Sequence, residues 1–259
     1  MERGAGMKKS KLAVLTHVRD EKDMLPLWLA HYKKHVPKES LYVIDHDSVD
    51  GSTEGLDVEV IKASNGGEAC ESFKTRNIMD IQSQLLEKYE YVLYVDADEF
   101  VFPSDKYTDL VDFINQNDEE VYVFKAWEPI EVEGEVPIDW TSKLMKQRKK
   151  GVWHDIICKP ALSRIPLLWC DGQHHSNQQM GGFSNAREDL FMIHLHRIDK
   201  QKNMERHAMR SSAKYSATNE ERNYCNHWKK IKGKEFDEWY YDLKGEPLLD
   251  TPEYFKVVL

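Results

Sequence analysis

The sequence predicts an α/β fold: a mostly parallel central sheet flanked by helices, with a helical C-terminal segment. Three observations carry this. Short apolar runs alternate with helical periodicities through the first 126 residues, as in a sheet covered on both faces. The run Tyr91-Val92-Leu93-Tyr94-Val95 is apolar throughout, as a central strand requires. From Lys200 onward the apolar spacing is helical.

Residues 12–16 suit a first buried strand. Met24, Leu25, Trp28, Tyr32 and Val36 then recur at helical spacing, with Pro26 tolerated in the first turn. Residues 41–44 and 58–61 are the second and third strands. Phe73, Ile78, Ile81, Leu85 and Tyr89 form one face of a second helix, and residues 91–95 the fourth strand. Tyr107, Leu110, Val111 and Ile114 mark a third helix, and residues 121–124 a fifth strand. After Trp127 the rhythm breaks. Residues 128–150 are charged, carry Pro129, Gly134 and Pro137, and close on Lys143, Lys146, Arg148, Lys149 and Lys150; they read as a loop or lid. Apolar runs return at 156–158, 165–169 and 191–195, and Phe236, Trp239, Tyr240 and Leu243 form a late amphipathic face. The organisation expected is residues 1–126 and 127–199 as two halves of one domain, with 200–259 as a helical appendage.

The chain of 259 residues is 41% hydrophobic, enough for an ordinary core. A formal charge of −9 argues against nucleic acid as a partner, since that affinity comes largely from neutralising phosphates. A small anionic substrate stays open, because a bound metal reverses the local sign. Cys70, Cys158, Cys170 and Cys225 lie far apart and read as free thiols of a reducing compartment. Met7 reads as the natural start, with residues 1–6 added before it. No apolar run approaches the ~20 residues of a membrane span. A soluble, cytoplasmic protein is expected.

Chemistry concentrates in three places. The first is Asp96-Ala97-Asp98-Glu99, directly after the apolar strand. Such a position delivers carboxylates to the sheet edge where open α/β sheets bind ligands. In extended chain, Asp96 and Asp98 point the same way and share one site, and a cation is the natural partner of such a pair. A solvated acidic turn is the alternative. The second is the loop Asp45-His46-Asp47-Ser48-Val49-Asp50-Gly51-Ser52-Thr53, suited to a nucleoside's base and ribose and equally to an Asx-rich turn. The third is Phe191-Met192-Ile193-His194-Leu195-His196, where His194 and His196 share a strand face opposite Phe191, Ile193 and Leu195. Surface histidines are the alternative there. His174-His175, beside Gly172, Gly181 and Gly182, reads as a flexible polar loop.

Together these motifs resemble the family 2-like glycosyltransferases, including relatives grouped with family 92. Arg19-Asp20-Glu21 followed by Met24-Leu25-Pro26-Leu27-Trp28-Leu29-Ala30-His31-Tyr32 is similar to their opening. Residues 43–53 resemble their next motif, and Tyr94-Val95-Asp96-Ala97-Asp98-Glu99-Phe100-Val101-Phe102-Pro103 their Asp-x-Asp-Glu-Phe stretch. The likeness covers roughly the first 105 residues. It implies a GT-A fold, in which residues 1–126 bind a nucleotide sugar and 127–199 complete the metal shell and face the acceptor. It also implies that Asp45 contacts the base, Asp96 the ribose or metal, and Asp98 the metal, with His194 or His196 completing the shell. Lys159-Pro160 followed by His174 looks like a looser feature of the relatives' second half. The relatives carry Asn where this chain has Asp20.

Candidate nucleotide contacts are Thr16, His17, Arg19, Glu21, Asp45, Asp47, Arg76, Asp96 and Ala97; candidate metal ligands are Asp96, Asp98, His194 and His196. The expected cofactor is Mn2+ or Mg2+, manganese being preferred for a mixed carboxylate and imidazole site. The expected partners are a nucleotide-sugar donor, UDP-linked by the resemblance, and a glycan or lipid-linked acceptor. The cation neutralises the departing diphosphate while an acceptor hydroxyl attacks the anomeric carbon. Inversion needs a carboxylate to take that hydroxyl's proton: Glu188 and Asp189 come first, although the two equally read as capping or solvating a local helix, and Asp155 is in reserve. Residues 143–150 could close over the diphosphate or form an exposed loop, and Lys229, Lys230, Lys232 and Lys234 could meet a membrane-borne acceptor or end a solvated helix. Two rivals stand beside this. One is a phosphohydrolase of the haloacid dehalogenase type with Asp96 as nucleophile, the other a sugar-nucleotide-binding module without turnover.

Overall fold

Residues 9–224, 229, 231 and 233–259, apart from the Lys234 side chain, are described in a computed structural model. Met1, Met7, Cys225, Lys230 and Lys232 lie outside them. The first half follows the expected alternation: β1 (Ser10–Val18), α1 (Leu25–Tyr32), β2 (Leu41–His46), β3 (Glu59–Ala63), α2 (Glu71–Leu85), β4 (Tyr89–Tyr94). These strands pair in parallel in the order β4-β1-β2-β3. Alternate residues enter two cores. Leu12 and Val14 of β1 face one with Leu25, Trp28 and Tyr32 of α1; Ala13 and Leu15 face the other with Ile78 and Leu85 of α2. Period-two burial against helices on both faces is what makes an apolar run a sandwiched strand.

The second half departs from a mostly parallel sheet. It consists of β5 (Glu99–Pro103), α3 (Leu110–Gln116), β6 (Val121–Ile130), β7 (Lys150–Trp153), β8 (Pro160–Ser163) and β9 (Ala186–His194). Its ladders β4/β8, β6/β8, β6/β7 and β5/β9 are antiparallel, and β6/β9 is parallel. The reason is connectivity. No crossover helix separates β6, β7 and β8, and short links favour antiparallel return. β4 still sits centrally, between β1 and β8, as its apolar sequence requires.

The last segment contains α4 (Lys200–Ser212), α5 (Ala217–Glu221), α6 (Lys234–Tyr240) and β10 (Leu249–Asp250). The expected face of α6 holds: Phe236 and Tyr240 pack on Ile130 of β6, with Trp239 and Leu243 beside them. Part of this segment is built into the main body. β10 extends the sheet beside β7, and Phe255 is fully buried among Phe102, Trp127 and Phe191. Cys70, Cys158 and Cys170 are free thiols. Among the described residues no helix is long and apolar enough to cross a membrane.

Candidate functional site

The acidic motif is turned, not extended. β4 ends at Tyr94, the Glu99 N–H donates to the Asp96 carbonyl at 3.0 Å, and β5 begins at Glu99. The expectation that Asp96 and Asp98 share one site from an extended chain therefore fails, because the turn sends their side chains to different partners. Asp96 accepts from the Tyr94 hydroxyl at 2.7 Å, Lys74 at 2.9 Å and Lys159 at 3.1 Å. Burial works against its charge, but Lys159 and Lys74 outweigh that and hold its carboxyl well below the usual range. Lys159 is itself only 5% exposed and also reaches Glu99 at 2.5 Å.

Asp98 turns the other way, into a group with His194 and His196 whose potential ligand atoms lie within 4.8 Å of one another. The β5/β9 ladder creates the group. Glu99 is registered against His194, and the Leu195 N–H donates to the Asp98 carbonyl at 2.9 Å. His194 ends β9 and His196 lies in the following 3-10 turn, with the two rings stacked at 5.3 Å and 9°. His194 presents Nε2 to Asp98 at 3.8 Å and Nδ1 to Glu128 at 3.1 Å. A buried carboxylate with two imidazoles is a donor set that fits a divalent cation such as Mn2+. Asp96 stands outside this group.

Arg206 of α4 already brings a positive charge there. It donates to Asp98 and to Glu21, each at 2.8 Å. Burial raises the Asp98 carboxyl, and Arg206 and then His194 bring it far below the ordinary value. Burial first, with the charge of Asp98 beside it, leaves the Glu21 carboxyl raised despite Arg206. Burial opposes a charge on His194, yet Glu128 and Asp98 leave its pKa raised. His196 is held well below the ordinary value, by burial first and then by His194.

The ends of β1 and β2 supply the adjoining edge. Thr16 Oγ1 and His17 Nε2 are buried without a hydrogen-bond partner. His17 lies edge-on to His46, which packs against Phe73. Asp45 accepts from the Ser48 N–H at 3.0 Å, the Thr53 hydroxyl at 2.7 Å and Lys62, so it shapes its own loop. Despite the cost of burial, these bonds lower its pKa to about 2. Asp47, at φ 57°, accepts from the Gly67 N–H at 2.8 Å, and Arg19 donates to the Gly67 carbonyl at 2.7 Å. Asp20 has φ 56° and takes the N–H groups of Val49 and Asp50. An Asn side-chain carbonyl would serve both bonds and tolerates that backbone as well, so the departure at Asp20 leaves the clamp intact.

Other candidates lie apart. Ala97 is buried in the turn. Arg76 is exposed, two residues from Lys74 and so on the far side of α2. Glu188 and Asp189 sit about 17–20 Å along β9 from His194, at ~3.3 Å per residue. Glu188 is 78% exposed and pairs with Lys125, while Asp189 pairs with Arg187 at 2.9 Å. Asp155 takes the Phe183 N–H and pins the 181–183 loop. Of the basic residues 143–150, Arg148 is buried in bonds to Val136, Ile198 and Glu131, and Lys150, the first residue of β7, pairs with Asp250. His174 is held at about 4 by burial and then by the charge of Lys159. Lys229 lies over the Tyr215 ring at 4.1 Å.

No family model matches the chain, and no curated protein does. Among solved structures it is similar to a mannosyltransferase, PcManGT from Pyrobaculum calidifontis, in complex with GDP-Man and Mn2+. The identity is 16% and the TM-score 0.33, over 61% of this chain and 45% of that one. A cytidylyltransferase from Leptospira borgpetersenii serovar Hardjo-bovis (strain JB197) is similar at 13% identity and TM-score 0.30, over 49% of this chain and 57% of that one. The chain thus spans about half the length of each. Similarity at this level does not establish a common fold.

Four residues of the site escaped the sequence: Lys74, Glu128, Arg206 and, as a partner of Asp96, Lys159. Lys159 carries a signal in hindsight, a charge among the apolar residues 156–162, whereas Glu128 opens the charged segment and is set among apolar neighbours only because β6 runs on to Ile130. Lys74 and Arg206 carry none, because charged residues on amphipathic helices are ordinary.

Proposed function

We propose that the chain is a metal-dependent glycosyltransferase of the GT-A type, transferring a sugar from a nucleotide-diphosphate donor, UDP-linked by preference, to an acceptor hydroxyl on a glycan or lipid-linked acceptor. One observation carries the reading: Asp98, His194 and His196 converge from distant segments beside the carboxyl ends of parallel strands β1, β2 and β4. That edge is where open α/β sheets take ligands. The resemblance of residues 19–32, 43–53 and 94–103 to family 2-like enzymes supports it independently of the geometry.

In this proposal Asp98, His194 and His196 hold a Mn2+ or Mg2+ ion, which when bound supplies the positive charge that a departing diphosphate needs. Residues 1–126 are the donor half. Thr16 and His17 line the nucleoside's place, and Asp45 and Asp47 keep the 45–53 loop in shape for it. Residues 127–199 complete the metal site and face the acceptor, and residues 200–259 contribute Arg206.

The test is calorimetric titration of UDP and GDP in manganese and in chelator, for the wild type and for Asp98→Asn, which keeps a side chain for Arg206 to bond. Manganese-dependent binding that disappears in the variant supports the proposal. If neither nucleotide binds in manganese, the proposal is lost and phosphatase activity with Asp96 as nucleophile becomes the reading to pursue.

A further inference from the structure

Glu128 is 2% exposed on β6, within a strand that is otherwise almost wholly apolar. A carboxylate taken this far from water persists only with partners. Three groups face it. His194 Nδ1 is 3.1 Å from Oε1, His154 Nδ1 3.3 Å from Oε2, and Arg197 Nε 3.6 Å from Oε2. The ladders put it there: Trp127 of β6 is registered against Ile193 of β9 on one side and Trp153 of β7 on the other. One step on, Glu128 is level with His194 across the parallel pair; across the antiparallel pair it faces Val152, and His154, just past β7 with its N–H on the Ala126 carbonyl at 3.0 Å, reaches it diagonally. None of the three contacts is an aligned hydrogen bond, and His194 Nδ1, His154 Nδ1 and Arg197 Nε have no other hydrogen-bond partner.

An imidazole binds a cation through one nitrogen only when the other carries the proton, and the group facing that second nitrogen decides which is which. With Nδ1 turned to Glu128, the Nε2 of His194 is the atom left facing Asp98. The orientation extends to the second imidazole, since His196 stacks on His194. Resting on the metal-centre reading above, we infer that Glu128 is the positioning residue of that centre, aiming His194 so that Nε2 and not Nδ1 is the metal ligand. His154 and Arg197 hold Glu128 in register, which gives the otherwise unexplained His154–Glu128 contact a purpose.

The test uses Mn2+ alone, titrated calorimetrically into the wild type, Asp98→Asn, Glu128→Gln and Glu128→Asp, with far-UV circular dichroism as a check on folding. The Co2+ form of each provides a visible absorption spectrum. Glu128→Gln keeps the shape of the side chain but loses the carboxylate. It should bind Mn2+ about 10–100-fold more weakly and shift the Co2+ bands, with Glu128→Asp recovering part of both. A folded Glu128→Gln with wild-type affinity or an unshifted Co2+ spectrum overturns the inference while leaving the metal centre standing. Wild-type protein that binds no Mn2+, or binding that Asp98→Asn does not weaken, removes the metal centre itself and this inference with it.

Discussion

Glu99 of β5 stands directly opposite His194 of β9, in a ladder that runs on through Phe100–Ile193 to Pro103–Leu190. That single pairing converts an acidic turn and a late histidine into one site, because it places Asp98 against the turn after β9.

Metal binding at this junction should stabilise the fold. Any ligand that binds only the native state adds about 2.7 kcal/mol at a hundredfold excess over its Kd. Thermal unfolding in Mn2+ should therefore occur several degrees above unfolding in chelator, and Asp98→Asn should erase the difference. Identical transitions with and without the ion in the wild type would rule out the site.

Arg206 should matter most when no metal is present. Arg206→Met leaves Glu21 and Asp98 buried together without their shared cation. Removing one partner of a buried pair costs about 3–5 kcal/mol. Chemical denaturation in chelator should show a loss of that order, and Mn2+ should restore part of it by replacing the lost charge. A loss that Mn2+ leaves untouched would mean that Arg206 and the ion do not meet at the same carboxylate.

Acid should loosen the contact between α1 and β5. His31 is fully enclosed, and its Nε2 meets the Val101 carbonyl at 2.9 Å, so Nε2 carries the proton and Nδ1 stays bare. Burial, reinforced by His35, lowers its pKa from 6.5 to about 3. A lowered histidine takes up its proton in the unfolded chain first. Its contribution is thus complete above pH 6.5 and declines as pH falls toward 3, at about 1.4 kcal/mol per unit. Urea unfolding at pH 7 and pH 5 should show this, and His31→Gln, which can still donate to Val101, should flatten the slope. Equal slopes would assign the acid sensitivity elsewhere.

Gly151 of β7, opposite Pro129 of β6, leaves no room for a side chain. A Cβ there would lie 2.6 Å from the Glu128 carbonyl oxygen and 2.6 Å from the Trp127 ring. Gly151→Ala should cost about 1–3 kcal/mol through overpacking and push β7, with His154, away from Glu128. Weaker Mn2+ binding alongside lower stability is expected. Wild-type stability would show that the two strands separate freely.

Much of the donor half was legible because its signals are local. Leu12–Leu15, Leu41–Ile44 and Tyr91–Tyr94 announce buried strands by composition alone, and Trp28 and Tyr32 announce the inner face of α1. His194 and His196 could be singled out with Asp98 from residue type and order. Their convergence was expected only through the family resemblance; residue type and spacing could not supply it, since it depends on β5 pairing with β9 across a long stretch of chain. The same limit hid the turn that parts Asp96 from Asp98, the arrival of Arg206 from α4, and the seat of Glu128 between two imidazoles. Periodicity fixes which face of an element is buried. Which element it is buried against is decided by tertiary packing, and the charges of this site take their meaning from those neighbours.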